Sequence, residues 1–328
     1  THKPDRKFTM AHGISLYPGH HNTPDENLAL LEKAAQAGIR RVFTSLHIPE
    51  TDVAALKQEI GSLLRAARRH HMEVISDVSP ATCKLLDLPE FNPASFRMLG
   101  ITTLRLDYAF SAEEMALLTH RFPEMRVQLN ASTSTNRILK DLQDAGTDFS
   151  HIDALHNFYP RRGTGLSEPA LVHANILLHR YGIRVGAFVA SQGRRRSPLG
   201  DGLPTLEEHR DETAELSARH LVALGCDSVF LADSLPTDKE IQAIGQLQGD
   251  QVTLHAHYMT KDPVQRELLA HTFTSRLDEA RDAIRAQESR PLLREMHATS
   301  HPDNRTTHPI AAITIDNETY GRYMGELQ

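Results

Sequence analysis

Eight short apolar runs, each followed by a segment with helical spacing, recur between Gly13 and Gly249, and that rhythm leaves few folds open. The first run, Gly13–Leu16, stops at the turn Tyr17-Pro18-Gly19. Thr23-Pro24-Asp25-Glu26 then opens a helix: Thr23 caps it, Pro24 suits its first position, and Glu26 completes a capping box. Leu28, Leu31, Ala34 and Ala35 continue at helical spacing until Gly38 ends the segment. Further strands are expected at 41–45, 73–76, 103–106, 126–129, 152–155, 184–190 and 228–232. Helices are expected near 51–71, from Ser111, and at 135–145, 168–181, 205–224 and 237–247. Strands that alternate with helices build a parallel sheet, either closed or doubly wound. A doubly wound sheet usually carries a glycine-rich phosphate turn after its first strand, and Tyr17-Pro18-Gly19 is not one. The expected fold is α/β, a (β/α)8 TIM barrel over residues 11–248.

Past Gly249 the rhythm changes. Gln251 to Ala256 alternates at period 2, as does Ala311 to Ile315, with an amphipathic stretch at 278–284 and an irregular run at 299–309. Residues 249–328 therefore read as a small β-rich second domain, whose last segment, 320–328, reads as a hairpin in a chain expected to continue beyond Gln328. Residues 1–10 read as a disordered or expression-derived N-terminus.

Bulk properties exclude several functions. No run of about 18 apolar residues occurs, which argues against a transmembrane helix. The polar N-terminal stretch has no apolar core of a secretory signal. Two cysteines, Cys83 and Cys226, make no disulfide framework and fit a reducing cytoplasm. A net charge of −6 argues against nucleic acid as a partner. The 20 histidines scatter, and no His-x-x-x-His pair stands beside a clear third ligand. Tryptophan is absent, leaving Tyr and Phe as the rings on which a sugar could stack.

In a barrel of this kind the site is built from the C-terminal strand ends and the loops that follow them. Those ends are Tyr17, then Ser45 with His47 and Glu50, then Asp77, then Asp107. Strand 5 ends at Asn130, strand 6 at His156-Asn157, strand 7 at Ser191-Gln192 and strand 8 at Asp233-Ser234. Asp233 and Ser234 also fit a helix cap. Asp77 and Asp107 continue directly from apolar strands, where a carboxylate is costly unless paired or working. Two carboxylates flanking one bond are what glycoside cleavage needs, one as acid and the other as nucleophile or base. Glu50 and Asp107 are the expected pair, with Asp77 orienting or tuning them. The same carboxylates with His47 or His156 would also suit a divalent ion.

Two loops are basic in this acidic chain. His156-Asn157-Phe158-Tyr159-Pro160-Arg161-Arg162-Gly163-Thr164-Gly165 offers polar donors on a turn, and the next loop holds Arg194-Arg195-Arg196 ahead of Gly200-Asp201-Gly202. Guanidinium forks match phosphate, and loops after the last barrel strands often hold it. Arg161, and after it Arg162 or Arg194, are the expected phosphate contacts. Tyr159, Ser191 and Asp201 join Tyr17, Ser45, His47, Asn130, His156 and Asn157 as expected substrate-binding residues.

Several of these stretches together resemble a known family. They are Gly13 to Gly19, Phe43 to Glu50, Asp77-Val78-Ser79-Pro80, Arg105-Leu106-Asp107 and His156 to Arg161, with Gly200 to Glu207, His209-Arg210, Thr314 to Glu318 and Gly321 to Gln328. In that order, over almost the whole chain, they resemble the bacterial 6-phospho-N-acetylmuramidases, with Arg162 as a departure from the pattern. The resemblance implies a TIM barrel with a cyclophilin-like C-terminal domain. It also implies cleavage between N-acetylmuramic acid 6-phosphate and N-acetylglucosamine in cytoplasmic peptidoglycan recycling. The expected partner is then a phosphorylated amino-sugar disaccharide, with no cofactor, no nucleic acid and no membrane, and with room for a homodimer. A non-catalytic phosphosugar sensor and a metal-dependent isomerase or aldolase are the competing readings.

Overall fold

The computed structural model describes residues 11–46, 52–106, 110–249, 251–296 and 307–328. Contacts divide the chain into two compact units, Thr1–Thr253 and Leu254–Gln328.

The first unit is a closed barrel of eight parallel strands: β1 Gly13–Leu16, β2 Arg41–Thr44, β3 Glu73–Asp77, β4 Thr103–Arg105, β5 Arg126–Asn130, β6 Ile152–Leu155, β7 Arg184–Val189 and β8 Ser228–Leu231. Helices cover it: α1 Pro24–Gln36, α2 Val53–Arg69, α3 Pro80–Leu85, α4 Pro93–Leu99, α5 Ala112–Arg121, α6 Asn136–Asp144, α7 Glu168–Arg180, α8 Ala214–Ala223 and α9 Asp238–Gly245. The capping box at Thr23 forms as expected, its hydroxyl receiving the Glu26 amide while the Glu26 carboxylate receives the Thr23 amide. Among the described residues no helix is long and apolar enough to cross a membrane.

Alternation along the strands sorts side chains into two cores. Outward residues such as Ile14, Val42, Val74, Leu104 and Val127 pack under the helices. Inward, Phe43, Ile75, Leu155, Phe188 and Phe230 fill the lumen. Gly13 belongs to this filling, because a Cβ there would lie 2.1 Å from the Phe230 ring.

Below that apolar layer lies a buried charge cluster. Arg41 donates from Nε to Glu73 at 2.8 Å and from Nη2 to Asp153, and its guanidinium lies 5.3 Å from the centre of the Phe230 ring. Thr103 donates to Glu73, and Gln128 donates to Asp153 at 3.2 Å. Burial opposes the charge on Glu73, but Arg41 and the Thr103 hydroxyl outweigh it and hold its pKa below the usual carboxylate value.

The helix expected from Thr205 starts at Ala214 instead. The residues before it are held to the barrel: the Thr205 amide donates to the Phe188 carbonyl, its hydroxyl accepts the Phe188 amide, and Leu206 bridges Leu166. After a single 3₁₀ turn at Glu207–His209, the α-helix begins past Thr213, whose hydroxyl caps the Leu216 amide.

In the second unit the described residues form α10 Pro263–Leu269, α11 Ser289–Met296 and the 3₁₀ segment Glu318–Tyr323, around buried Leu268 and Leu293. The strand expected at 251–256 has no regular structure, and neither does the amphipathic stretch 278–284 form a helix. β pairing is limited to short antiparallel contacts, Ser275 with Ala286 and Ile315 with Leu327. The expected terminal hairpin is wider than 320–328: Thr314 and Gln328 exchange both backbone hydrogen bonds around the 3₁₀ segment.

Removing Arg41 would strand two carboxylates inside the barrel. Arg41→Ala is expected to lower unfolding free energy by about 3–5 kcal/mol, read from urea denaturation. A loss under about 1 kcal/mol would mean that the cluster is not dry.

Candidate active site at the barrel mouth

The same alternation brings Asp77, Arg105 and Asn157 to the C-terminal end of the lumen. Arg105 is nearly buried and holds the group together. It donates to the Leu155 carbonyl at 2.9 Å, to Gln128 Oε1 at 3.3 Å and to Asn157 Oδ1 at 2.8 Å, while its Nε lies 3.4 Å from Asp77 Oδ1. Asp77 keeps 36% of its side chain exposed, so this paired carboxylate still faces solvent.

Aromatic rings close the lumen beneath. Tyr17 is buried and donates to the Ala232 carbonyl at 2.5 Å. Phe158 meets Tyr17, Phe43 and Phe188 edge-on, at centroid distances of 6.5, 6.1 and 5.1 Å. The Arg196 guanidinium lies over Tyr17 and Phe158, at 4.7 and 4.8 Å from the two ring centres.

Buried carboxylates organise the loops that present these groups. Asp233, fully buried after β8, accepts the amides of Ser191 at 2.9 Å, Arg196 at 3.0 Å and Leu203 at 3.4 Å. Burial raises its pKa despite those three donors. Glu207 ties the loop after β6 to the loop after β7. It accepts the Gly163 and Gly165 amides, both at 2.7 Å, and a two-pronged contact from Arg210 at 2.8 and 2.7 Å. The Arg210 contacts, with the two amides, bring its pKa down to about 2. Gly165 is required there, since a Cβ would come within 2.7 Å of the Glu207 carboxylate and amide. Arg210 also donates to the carbonyls of Gly202 and Arg161, both at 3.1 Å.

The chain matches the N-terminal domain model of 6-phospho-N-acetylmuramidase over residues 12–246 and the C-terminal domain model over 251–328. The chain belongs to the 6-phospho-N-acetylmuramidase family. It is also similar to a crystal structure of an uncharacterized B. cereus protein, with 28% identity, TM-score 0.82, and coverage of 98% of this chain and 88% of that one. A conserved Enterococcus faecalis protein with an unknown function shares 32% identity at TM-score 0.63, over 97% of this chain and 85% of that one. No curated protein sequence matches the chain.

In this member of the family the expected site residues fall into three groups. Tyr17, Asp77 and Asn157 come together at the mouth, and Ser45 is buried at the end of β2. His47, Glu50 and Asp107 lie outside the described residues.

The third group serves the scaffold. His156 sits on the helix side of the barrel wall: Nε2 pairs with Asn175 of α7 at 2.9 Å and Nδ1 with the Ser132 hydroxyl at 3.1 Å. Leu155 and Asn157 take the lumen side, so period 2 sends His156 outward, and neither of its nitrogens is left for a metal. Ser191 donates to Glu240 of α9 at 2.7 Å, and Asn130 accepts the Ser132 amide at 3.0 Å in a local turn. Among the described residues, Tyr159 and Asp201 join the scaffold through main-chain atoms alone, the Tyr159 amide donating to the Pro204 carbonyl and the Asp201 carbonyl accepting Arg195, both at 3.0 Å, which leaves their side chains to the expected substrate role.

The arginines divide likewise. Arg162 pairs with Asp211, Arg194 with Glu26, and Arg195 caps the carbonyls of Ser191, Asp201 and Arg210. Arg161 is exposed, with no side-chain partner among the described residues. Arg196, individually missed among the three consecutive arginines, has no carboxylate partner among them. Only placement over Phe158 and Tyr17 singles it out.

Burial pushes the pKa of His156 down to about 4 from its ordinary 6.5, so the folded protein holds the ring neutral. The unfolded chain binds that proton first, and stability is lost as pH falls from about 6.5 to 4. The shift converts to about 3 kcal/mol. Urea midpoints measured at pH 7, 5 and 4 should fall in step, and His156→Gln should flatten that dependence. An unchanged slope in the variant would assign the loss to other groups.

Proposed function

We propose that the chain is an exo-acting 6-phospho-N-acetylmuramidase. It would release N-acetylmuramic acid 6-phosphate from the end of a disaccharide with N-acetylglucosamine, in cytoplasmic recycling of peptidoglycan sugars. The observation that carries this reading, beyond family membership, is the pair of arginines on adjacent mouth loops that have no carboxylate partner among the described residues. In a protein of net charge −6, Arg161 and Arg196 keep their forks for an anion while their neighbours Arg162, Arg194 and Arg195 are occupied. A lumen filled from below supports exo action, because a closed-ended bowl accepts a terminal sugar more readily than the middle of a polymer. Phe158, half-buried at the mouth, supplies apolar surface for a sugar ring of the kind tryptophan would otherwise provide.

In this mechanism Glu50 and Asp107, which follow β2 and β4 in the sequence, act as the working carboxylates. One protonates the leaving oxygen, and the other attacks the anomeric carbon or activates water. Asp77 stands between these strands in the barrel order, and its pairing with Arg105 suits it to orient the working groups. Asn157, anchored by the same arginine, suits a sugar hydroxyl or the acetamido group. The Asp77–Arg105–Asn157 group also suits a phosphosugar sensor, and turnover separates the two readings.

A chromogenic glycoside of N-acetylmuramic acid 6-phosphate should be hydrolysed, and its dephosphorylated form should be a poor substrate. Absence of turnover on the phosphorylated glycoside would favour the sensor. Arg161→Ala and Arg196→Ala should each lower kcat/KM on the phosphorylated substrate about 10- to 150-fold, the equivalent of a lost charge-assisted contact. Equal losses on both substrates would remove that arginine from phosphate binding. Asp107→Asn and Glu50→Gln should each reduce kcat by several orders of magnitude. A variant that keeps more than about a tenth of the activity, roughly 1.4 kcal/mol of barrier, would not have lost a catalytic carboxylate.

A further inference from the structure

Away from the lumen aromatics, the loop between β7 and α8 makes a 3₁₀ turn, Glu207–His209, that packs against α8. His209 is buried at 3% exposure, and one of its nitrogens, Nε2, lies 2.8 Å from Nδ1 of His220 on that helix. The other, Nδ1, is buried with no hydrogen-bond partner. Glu208 completes a triad in which one ligand atom from each residue lies within 4.8 Å of the other two. The outer nitrogen of His220 lies 3.5 Å from Glu168 at the start of α7.

Two neutral imidazoles share a single proton between Nε2 and Nδ1, and a metal ion bound to both nitrogens would take that proton's place beside the Glu208 carboxylate. We propose that Glu208, His209 and His220 form a binding site for one divalent transition-metal ion, with zinc the best match. Two imidazoles and one carboxylate are a borderline-soft donor set that suits zinc, and water would complete the tetrahedron. Zinc–nitrogen bonds of about 2.0–2.1 Å place two tetrahedral ligands about 3.3 Å apart, so the histidines need to separate by about half an ångström. Glu168 then takes the place of the carboxylate that commonly receives the free N–H of a metal-bound histidine. The ion would pin the loop that carries Arg210, and through it Glu207 and the mouth loops, to α8.

The test uses the full chain, dialysed against chelator and titrated with zinc by calorimetry and with cobalt by visible absorption at neutral pH. One equivalent of zinc should bind and raise Tm, and one equivalent of cobalt should give the intense visible bands of a four- or five-coordinate site. Because 20 histidines offer other places for a metal, the variants decide. Glu208→Gln alters an exposed side chain and leaves the fold intact, and His220→Gln removes a half-buried ligand; each should weaken affinity more than about tenfold and abolish the cobalt bands. No saturable binding at one equivalent, or binding unchanged in both variants, would overturn the site.

Discussion

Arg41 sits at the point where the barrel could most easily fail. Eight strands can close only if their inward side chains fill the space between them, and here the lower layer is filled with charge rather than hydrocarbon. Arg41 on β2 reaches Glu73 on β3 and Asp153 on β6, while Thr103 and Gln128 bring β4 and β5 into the same network. One guanidinium thus cross-links strands that are not neighbours. An apolar layer of the same volume could be equally stable, since desolvation offsets much of the Coulombic gain. What the charges add is register. Slipping a strand by one residue would turn its charged groups out under the helices and leave their partners unpaired inside.

That register carries through to the mouth. Glu73, Ile75 and Asp77 share one face of β3, and Asp153, Leu155 and Asn157 share one face along β6. The ion cluster at one end and the Asp77–Arg105–Asn157 group at the other are therefore two ends of the same inward stripes. Between them lies the aromatic filling, which keeps each charged group from the other's water.

The barrel was legible because its signals are local and repeated: short apolar runs eight times over, alternating with segments of helical spacing, some opened by a capping box. Where the reading strayed, a distant partner had overridden the local signal. Residues 205–213 have the composition of a helix start, yet Thr205 is taken by Phe188 on β7 and Arg210 by carbonyls of two loops. His156 ends a strand beside Asn157 and looks equally suited to a ligand, but the two point to opposite sides of the wall. Counting inward from Asp153 would have separated them. The second unit had no such repetition, and its pairing joins 274–287 with residues near the chain's end, a separation that period-2 patterns do not reveal.

The distribution of acids and bases at the mouth follows from what loops need. Long βα loops carry backbone donors with no strand to satisfy them, and an acidic chain has carboxylates to spare for that task. Asp233 takes three amides and Glu207 takes two, each from loops that would otherwise splay. Arginines serve the complementary purpose, with Arg195 and Arg210 absorbing orphan carbonyls. A charged residue used this way cannot also hold a ligand, because its hydrogen-bonding positions are taken. The count of charges near a site therefore says little about its affinity for an anion. What matters is which charges remain after the scaffold has been satisfied, and among the described residues of the basic loops those are Arg161 and Arg196.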